Sequence, residues 1–463
     1  MWKKICGFIA DSPLERNPKL LFGTLSAVIL AGLLLRILFM TAMPGEFFHN
    51  DGFEYRDIAN QLYAGNGFSV SHYRWYEAVP EVPETIRPDF TRPPVIPLLG
   101  AALHFLPFDW VNSARVTVLL VSILCTIAVY LLGKEISSSR FCGVLGAAFY
   151  TFYPFSIYHS ICWSSENVFL VFLCFAYLYL VRCVRKNYAW KEGFLCGLLL
   201  AAASLTRPQG GLLMLLLGFS AGVLFLRFLL RKEFFVMKRL VISGLCFMLG
   251  ALVLLSPWMI RNWNLTGIPQ PFSFFGAYSF AQSASDITYQ TMKHVDTPEY
   301  EEEARKAWDT FHQEKRDQLK ALGIYSLPES NPYWKKWAWE YIRKNPGQML
   351  ESTWLKVLHS FRAAPNSSAI STMKSLMIQA YFYPLVLLMF CGIFALWKTD
   401  KPALYLILLS FASVIIFAIG FQMMLRYRYP FFAPFAGILA AYGIFQLSRW
   451  RMARAGNQSS SGV

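Results

Sequence analysis

Ten apolar runs set the terms on which this chain can fold. They lie at roughly 20–42, 115–133, 141–161, 167–181, 191–206, 210–226, 240–259, 378–397, 403–422 and 429–447. Most are long enough for a helix rising about 1.5 Å per residue to cross a hydrocarbon layer of about 30 Å. One soluble core has no use for so much apolar surface, since 55% of the 463 residues are hydrophobic and only 15% are charged. In lipid every backbone polar group needs an internal partner, so the expected fold is all-α and polytopic, with about ten transmembrane helices.

The formal charge of +15 would suggest a nucleic-acid partner in a soluble protein, but here the cations sit between apolar runs, as topology signals. With Lys3, Lys4, Arg16 and Lys19 in the cytoplasm, alternate connections carry Lys134 and Arg140, Arg182 to Lys191, Arg227 to Arg239, Lys398 and Lys401, and Arg449 to Arg454. Every short basic loop then falls on one side. The further segment "PPVIPLLGAALHFLP" at 93–107 would reverse all later loops if it crossed, so it reads as a juxtamembrane or re-entrant segment on the outer face. The first run lacks a small-residue cleavage site and reads as an anchor. The nine cysteines show no CxxC and no Cys/His pairing at metal spacing, and read as small hydrophobes.

This topology divides the chain into a membrane core at 1–275 with a first outer loop at 43–114, a mostly helical extracytoplasmic domain at 276–377, and C-terminal spans with a short tail at 378–463. Within the outer domain, "NPYWKKWAWEYIRKNPGQMLESTWLKVLHSFR" is amphipathic and Trp-rich, suited to the membrane surface or to a partner. The outer ends of the spans collect ionisable groups: Asp51, Glu54, Glu166, Arg207, Arg261, Arg426 and Arg428. Charges at the bilayer are costly, so their convergence on one side reads as a site, although a single interfacial arginine can simply snorkel.

Asp51 has two readings. Asp is a good N-cap, Glu54 stands three residues on as in a capping box, and Tyr55, Ile58, Ala59 and Leu62 share one helical face. A carboxylate on the outer face can also take the proton of a hydroxyl that attacks a sugar's anomeric carbon, while nearby cations stabilise a departing phosphate. The sequence has no GxxxxGK[ST] loop and no GxGxxG after a strand, which argues against a nucleotide-binding domain.

The segments "DGFEYRDIANQLYAGNGF", "TRPPVIPLLGAAL", "SENVFLVF", "LTRPQG", "SPWMIRNWNLTGIPQP" and "RYRYPFFAP", in that order, resemble the integral-membrane GT-C glycosyltransferases of the protein-mannosyltransferase and aminoarabinose-transferase type. The resemblance covers residues 20 to 275 and the final motif. It implies an inverting transfer of a sugar from a polyprenyl-phosphate donor to a glycolipid, polysaccharide or protein acceptor, at the outer face of the cytoplasmic (inner) membrane. Asp51 would be the base and Glu166 the second acid, where many relatives carry Asp. Glu54, Tyr55, Arg92, Arg207, Arg261, Arg426 and Arg428 would bind substrate, the arginines through the lipid phosphate. No cofactor is implied with certainty. A divalent metal stays open, with His49, His72, Glu77, Glu81 and Glu84 on hand but no HExxH spacing. The competing readings are a transporter or lipid flippase, which would place ionisable groups mid-span, and a non-catalytic assembly protein.

Overall fold

The computed structural model describes residues 9, 12–48, 51–295, 297–364, 371–421 and 425–460. The N-terminal half runs α1 (Pro18–Ala42), α2 (Gly52–Tyr63), β1 (Ser69–Val70), β2 (Arg87–Pro88), α3 (Val95–Ala102), α4 (Trp110–Ser137), α5 (Arg140–Thr151), α6 (Pro154–His159), α7 (Glu166–Arg185), α8 (Trp190–Ser204), α9 (Gln209–Leu230) and α10 (Phe234–Thr266). The rest comprises α11 (Gly276–Ser283), α12 (Asp286–Lys293), α13 (Pro298–Ala321), α14 (Leu327–Lys344), α15 (Pro346–Ser360), α16 (Thr372–Thr399), α17 (Lys401–Gly420) and α18 (Leu425–Ser460). Among the described residues the antiparallel pair β1–β2 is the whole of the sheet.

Among the described residues eight helices, α1, α4, α7, α9, α10, α16, α17 and α18, are long and apolar enough to cross a membrane. The expected spans at 141–161 and 191–206 are shorter helices: α5 has 12 residues and α8 has 15. The first is cut by Pro154, which holds Tyr153 in an extended conformation and so ends the helix before it. Both short helices are packed largely within the protein, where the length that lipid demands no longer applies.

Side-chain bonds show how the helices run between two ends. At one end Glu15 accepts from the backbone of Arg140 and Phe141 at 3.1 Å each, Arg185 reaches Asp400 at 2.7 Å, Arg182 reaches Glu135 at 2.8 Å, and Arg239 donates to the Lys186 carbonyl at 3.0 Å. At the other end Arg426 meets Asp51, Arg207 meets Glu166, and Arg261 meets the Phe68 carbonyl. Each apolar segment from α4 onward therefore leads from one group to the other. The segment at 93–107 stays at the second end: Val95 N bonds to Leu205 O, and Trp110 Nε1 bonds to Gly100 O. The connections around Glu135 and Arg140, Arg182 to Lys186, Arg239 and Asp400 thus share one end, as the basic loops of the sequence lead one to expect; Lys3 and Lys4 lie outside the described residues.

Small residues let the helices approach. A Cβ at Gly197 of α8 would run into the Phe247 carbonyl of α10, and one at Gly392 of α16 into the Leu439 carbonyl of α18, the close backbone packing that membrane helices use in place of a hydrophobic drive. Gly197→Ala is expected to destabilise the protein by about 1–3 kcal/mol. Gly222→Ala, where an added Cβ meets nothing, should not. Thermal unfolding of both variants in detergent checks the pair.

Outside the bundle, residues of the first outer loop and of α11–α15 share one core. Tyr76 and Ala78 pack with Tyr278, Leu319, Leu327 and Trp334. Trp75 Nε1 donates to the Tyr278 hydroxyl at 3.1 Å, and that hydroxyl meets His312 Nε2 at 2.7 Å. The amphipathic segment is two helices, broken where Pro346 follows Asn345. α14 turns Trp334 inward, while α15 leaves Leu350, Trp354 and Leu358 exposed along one stripe, with Phe361 exposed just beyond its end.

Candidate functional site

The first turn of α2 carries the site. Asp51 stands at its N-cap position, yet its carboxylate accepts no described N–H of the helix. It accepts instead from Arg92 Nη2 at 2.9 Å and lies 3.3 Å from Arg426 Nη1. Glu54 closes no capping box: it takes the Nε of Arg74 and of Arg92, each at 2.8 Å. Two full cations outbid a neutral backbone amide for the same oxygens, because charge-assisted hydrogen bonds are roughly twice as strong as neutral ones. The pattern D-x-x-E therefore starts a helix without capping it.

Arg92 is fixed from three sides. Its Nε is held by Glu54, its backbone N–H donates to Asp89 Oδ2 at 2.8 Å, and its guanidinium lies 5.5 Å from the Tyr55 ring centre. Pro93 and Pro94 follow, and α3 starts directly after them. Asp89 also holds Arg74 at 2.6 Å. The second part of the site lies between α7 and the turn from α8 to α9. Glu166, the first residue of α7, accepts from Arg207 Nη1 at 2.7 Å; that nitrogen also reaches Ser165 Oγ at 2.8 Å, and Arg207 Nε reaches Gln209 Oε1 at 2.9 Å. Arg207 also acts on Asp51 through its charge, and Arg426 on Glu166. Four acids (Asp51, Glu54, Asp89, Glu166) thus balance four arginines (Arg74, Arg92, Arg207, Arg426) in one cluster.

Exposure separates the two candidate acids. The Asp51 side chain is 20% exposed and that of Arg426 19%, while Glu166 and Arg207 are at 3% and 8%. Asp51 can meet a ligand; Glu166 is sealed against its arginine. Burial pushes the Asp51 carboxyl up, but Arg92, Arg426 and Arg207 outweigh it and hold the group well below the usual carboxylate range. Glu54 feels the same opposition, and Arg92 and Arg74 bring it down to about 2. The acids in turn raise Arg92 further, against its burial.

Two arginines expected here are elsewhere. Arg428 is buried, donates to the carbonyls of Ser360 and Arg362 at 2.8 Å each, and lies against Phe382 and Phe432. Residues two apart on a helix face opposite ways, so once α18 starts at Leu425, Arg426 and Arg428 cannot share a site. Arg261 lies in a separate cleft. Conversely Arg74 and Asp89, which hold the site together, carried no signal: they lie in an irregular loop, and only the fold brings Arg74 to Glu54 and Asp89 to Arg74 and the Arg92 backbone. Arg36, within α1, is buried and donates to Ser156 Oγ at 2.9 Å and Gly32 O at 3.0 Å.

Of the residues considered for a metal, His72 is paired with Asp57 at 3.0 Å, Glu77 is engaged by Arg87, and Glu81 and Glu84 are exposed. His49 lies outside the described residues. Among the described residues no three His, Cys, Asp or Glu side chains converge.

Residues 91–260 match the family described as dolichyl-phosphate-mannose-protein mannosyltransferase. No curated protein sequence matches the chain significantly. Among solved structures, the oligosaccharyltransferase AglB of Archaeoglobus fulgidus, in complex with an inhibitory peptide and a dolichol-phosphate, has a TM-score of 0.52 at 14% identity, over 98% of this chain and 53% of that one. The same organism's oligosaccharyltransferase in complex with zinc and sulfate gives 0.51 at 13% identity, over 95% and 51%. ArnT from Cupriavidus metallidurans, bound to undecaprenyl phosphate, gives 0.35 at 14%, over 92% and 77%. The chain spans about half the length of the oligosaccharyltransferase it matches. Its fold is the all-α, polytopic GT-C type, and it resembles the GT-C glycosyltransferases.

Proposed function

We propose that this chain is a glycosyltransferase that moves a sugar from a polyprenyl-phosphate donor to a hydroxyl acceptor, at the outer face of the cytoplasmic membrane. The observation that carries the reading is the Asp51 carboxylate, reachable and uncapped between Arg92 and Arg426. The dolichol-phosphate bound to the archaeal oligosaccharyltransferase supports a lipid-linked donor, as does the absence of a nucleotide supply outside the membrane.

Asp51 takes the proton of the acceptor hydroxyl as that oxygen bonds to the anomeric carbon. The bond from the anomeric carbon to the phosphate oxygen breaks on the opposite face, and its electron pair leaves with the polyprenyl phosphate. The configuration inverts. The departing phosphate gains a negative charge, which Arg92, Arg207 and Arg426 are placed to stabilise. Arg426 Nε, buried and without a hydrogen-bond partner among the described residues, is a donor free for that oxygen. Glu54 positions Arg92, and Glu166 positions Arg207. Tyr55 forms the apolar wall beneath Arg92.

A transporter or flippase is less well supported. Between the two ends, Arg36 bonds Ser156, Asn167 bonds Ser160, and Tyr429 bonds Asn167 and Tyr150. These polar groups are tied to one another, an arrangement suited to holding helices together. The test is transfer by the purified chain from a panel of polyprenyl-phosphate sugars, beside the matching nucleotide sugars. Product from a lipid-linked donor alone is expected. Translocation of lipid in vesicles, with no transfer from any donor, would overturn the reading.

A further inference from the structure

The two faces of α15 are the reverse of those that water selects. Ser352, Lys356 and Ser360, successive turns of one side, are buried against the protein. The Lys356 amine, on a stem long enough to reach water from most positions, donates inward to Ser283 Oγ of α11 at 2.7 Å. On the opposite side Leu350, Trp354 and Leu358 are 74%, 62% and 48% exposed. Glu351, the acid of this helix, is held at the edge by the Tyr289 hydroxyl of α12, which donates to it at 2.7 Å. A helix bounded by water turns its polar side outward. One whose polar side is sealed and whose apolar side is open is matched by surroundings as apolar as its own stripe.

The place of α15 in the fold identifies those surroundings. It packs on α17, a helix long and apolar enough to cross a membrane, and Val357 joins the core of the bundle. Its last turn is pinned at the end where α18 begins, because Arg428, in the first turn of α18, donates to the carbonyls of Ser360 and Arg362. At that end α17 exposes Ile416 and Ile419, and α16 exposes Met373 and Leu376, so the lipid-facing surface of the spans reaches the level of α15. Arg343 and Lys344, exposed at the end of α14, stand just before the helix, the position cations take beside a helix lying in the headgroup layer. A second copy of the chain is a poorer match. A stable protein interface takes about 20–30 residues a side, and the stripe offers three.

We infer that α15 lies in the bilayer leaflet at the Asp51 end, at the boundary of headgroups and acyl chains, with Leu350, Trp354 and Leu358 among the chains of membrane phospholipid. The outer domain is then seated on the bilayer as well as on the bundle. This seat is independent of the transfer proposed above.

The experiment places the full chain in nanodiscs of phosphatidylcholine, plain or brominated along its chains, and reads tryptophan emission. The share of Trp354 is the difference between wild type and Trp354→Phe, which cancels the other tryptophans. That share should lose most of its intensity where the bromine sits near the headgroup end of the chains, and lose less with bromine at the chain ends. Iodide in the water should quench it less than the bromolipid does. Leu350→Trp sets a second reporter one turn away, read as the gain over wild type; the same loss is expected of it, and it keeps the test decisive if Trp354→Phe does not fold. Stronger quenching by iodide than by bromolipid would put α15 in water and overturn the inference. Emission indifferent to both would put the stripe against protein, a second copy included, and would overturn it equally. Neither result would bear on the proposed transfer, which this measurement does not read.

Discussion

Asp51→Asn is expected to leave the donor bound and to lower transfer by about 10²–10⁴-fold, the usual contribution of a positioned base. Asn caps a helix as well as Asp does, and it keeps an acceptor oxygen for Arg92 while losing the ability to take a proton. Removing an anion from between two arginines also favours an incoming phosphate, so donor affinity should hold or rise. The pH dependence follows from the sign of the shift. Arg92, Arg426 and Arg207 hold the Asp51 carboxyl well below its ordinary range in the folded protein, so it is ionised throughout the range where the protein would be assayed. The kcat/KM of the free enzyme should show no acid limb between about pH 4 and 6, where an unperturbed carboxylate begins to be protonated. Stability follows the same sign, because a depressed carboxyl contributes stability that is present above the unfolded pKa of about 3.9 and is lost as pH falls through the folded one. Glu54, held at about 2, adds to the loss in strong acid. Wild-type rates from the Asn variant would remove Asp51 from the chemistry.

Two periodic signals made most of the architecture legible. Apolar runs gave the traversals, and the spacing of Lys and Arg decided that 93–107 stays at one end, where Val95 is bonded to Leu205. Length misled only for α5 and α8, because the span rule describes helices in contact with lipid and these two are walled in by protein. The site was half legible. Asp51, Glu54, Glu166, Arg92, Arg207 and Arg426 stood out as charges at span ends, and the fold brings them together. The split between Arg426 and Arg428 was not readable without the register of α18, which fixes which of two neighbours in "RYRY" points to the site. Arg74 and Asp89 were invisible because no local period links an irregular loop to its partners. The capping pattern at Asp51 was read correctly as a helix start; what the sequence left open was which partner takes the carboxylates, and that depends on arginines 41 and 375 positions away.

Glu166→Gln is expected to destabilise the folded protein by about 3–5 kcal/mol, the cost of leaving a buried charge without its partner. Arg207 would keep its neutral contacts with Ser165 and Gln209 but lose the only carboxylate paired with it among the described residues. Surface pairs do not behave this way. Glu302 and Arg305 on α13 are 52% and 68% exposed, and Glu302→Gln should shift the unfolding temperature by nothing measurable. The decisive variant is Glu166→Gln with Arg207→Gln, which removes both charges at once. If the destabilisation comes from an uncompensated arginine, the double variant melts close to wild type, and the double-mutant cycle returns a large coupling energy. It should not regain transfer, since the cation proposed to meet the departing phosphate is gone. Restored folding without restored transfer would separate the two roles of Arg207, as the counter-charge that seals α7 against the α8–α9 turn and as a ligand for phosphate. Restored transfer would instead confine Arg207 to the first.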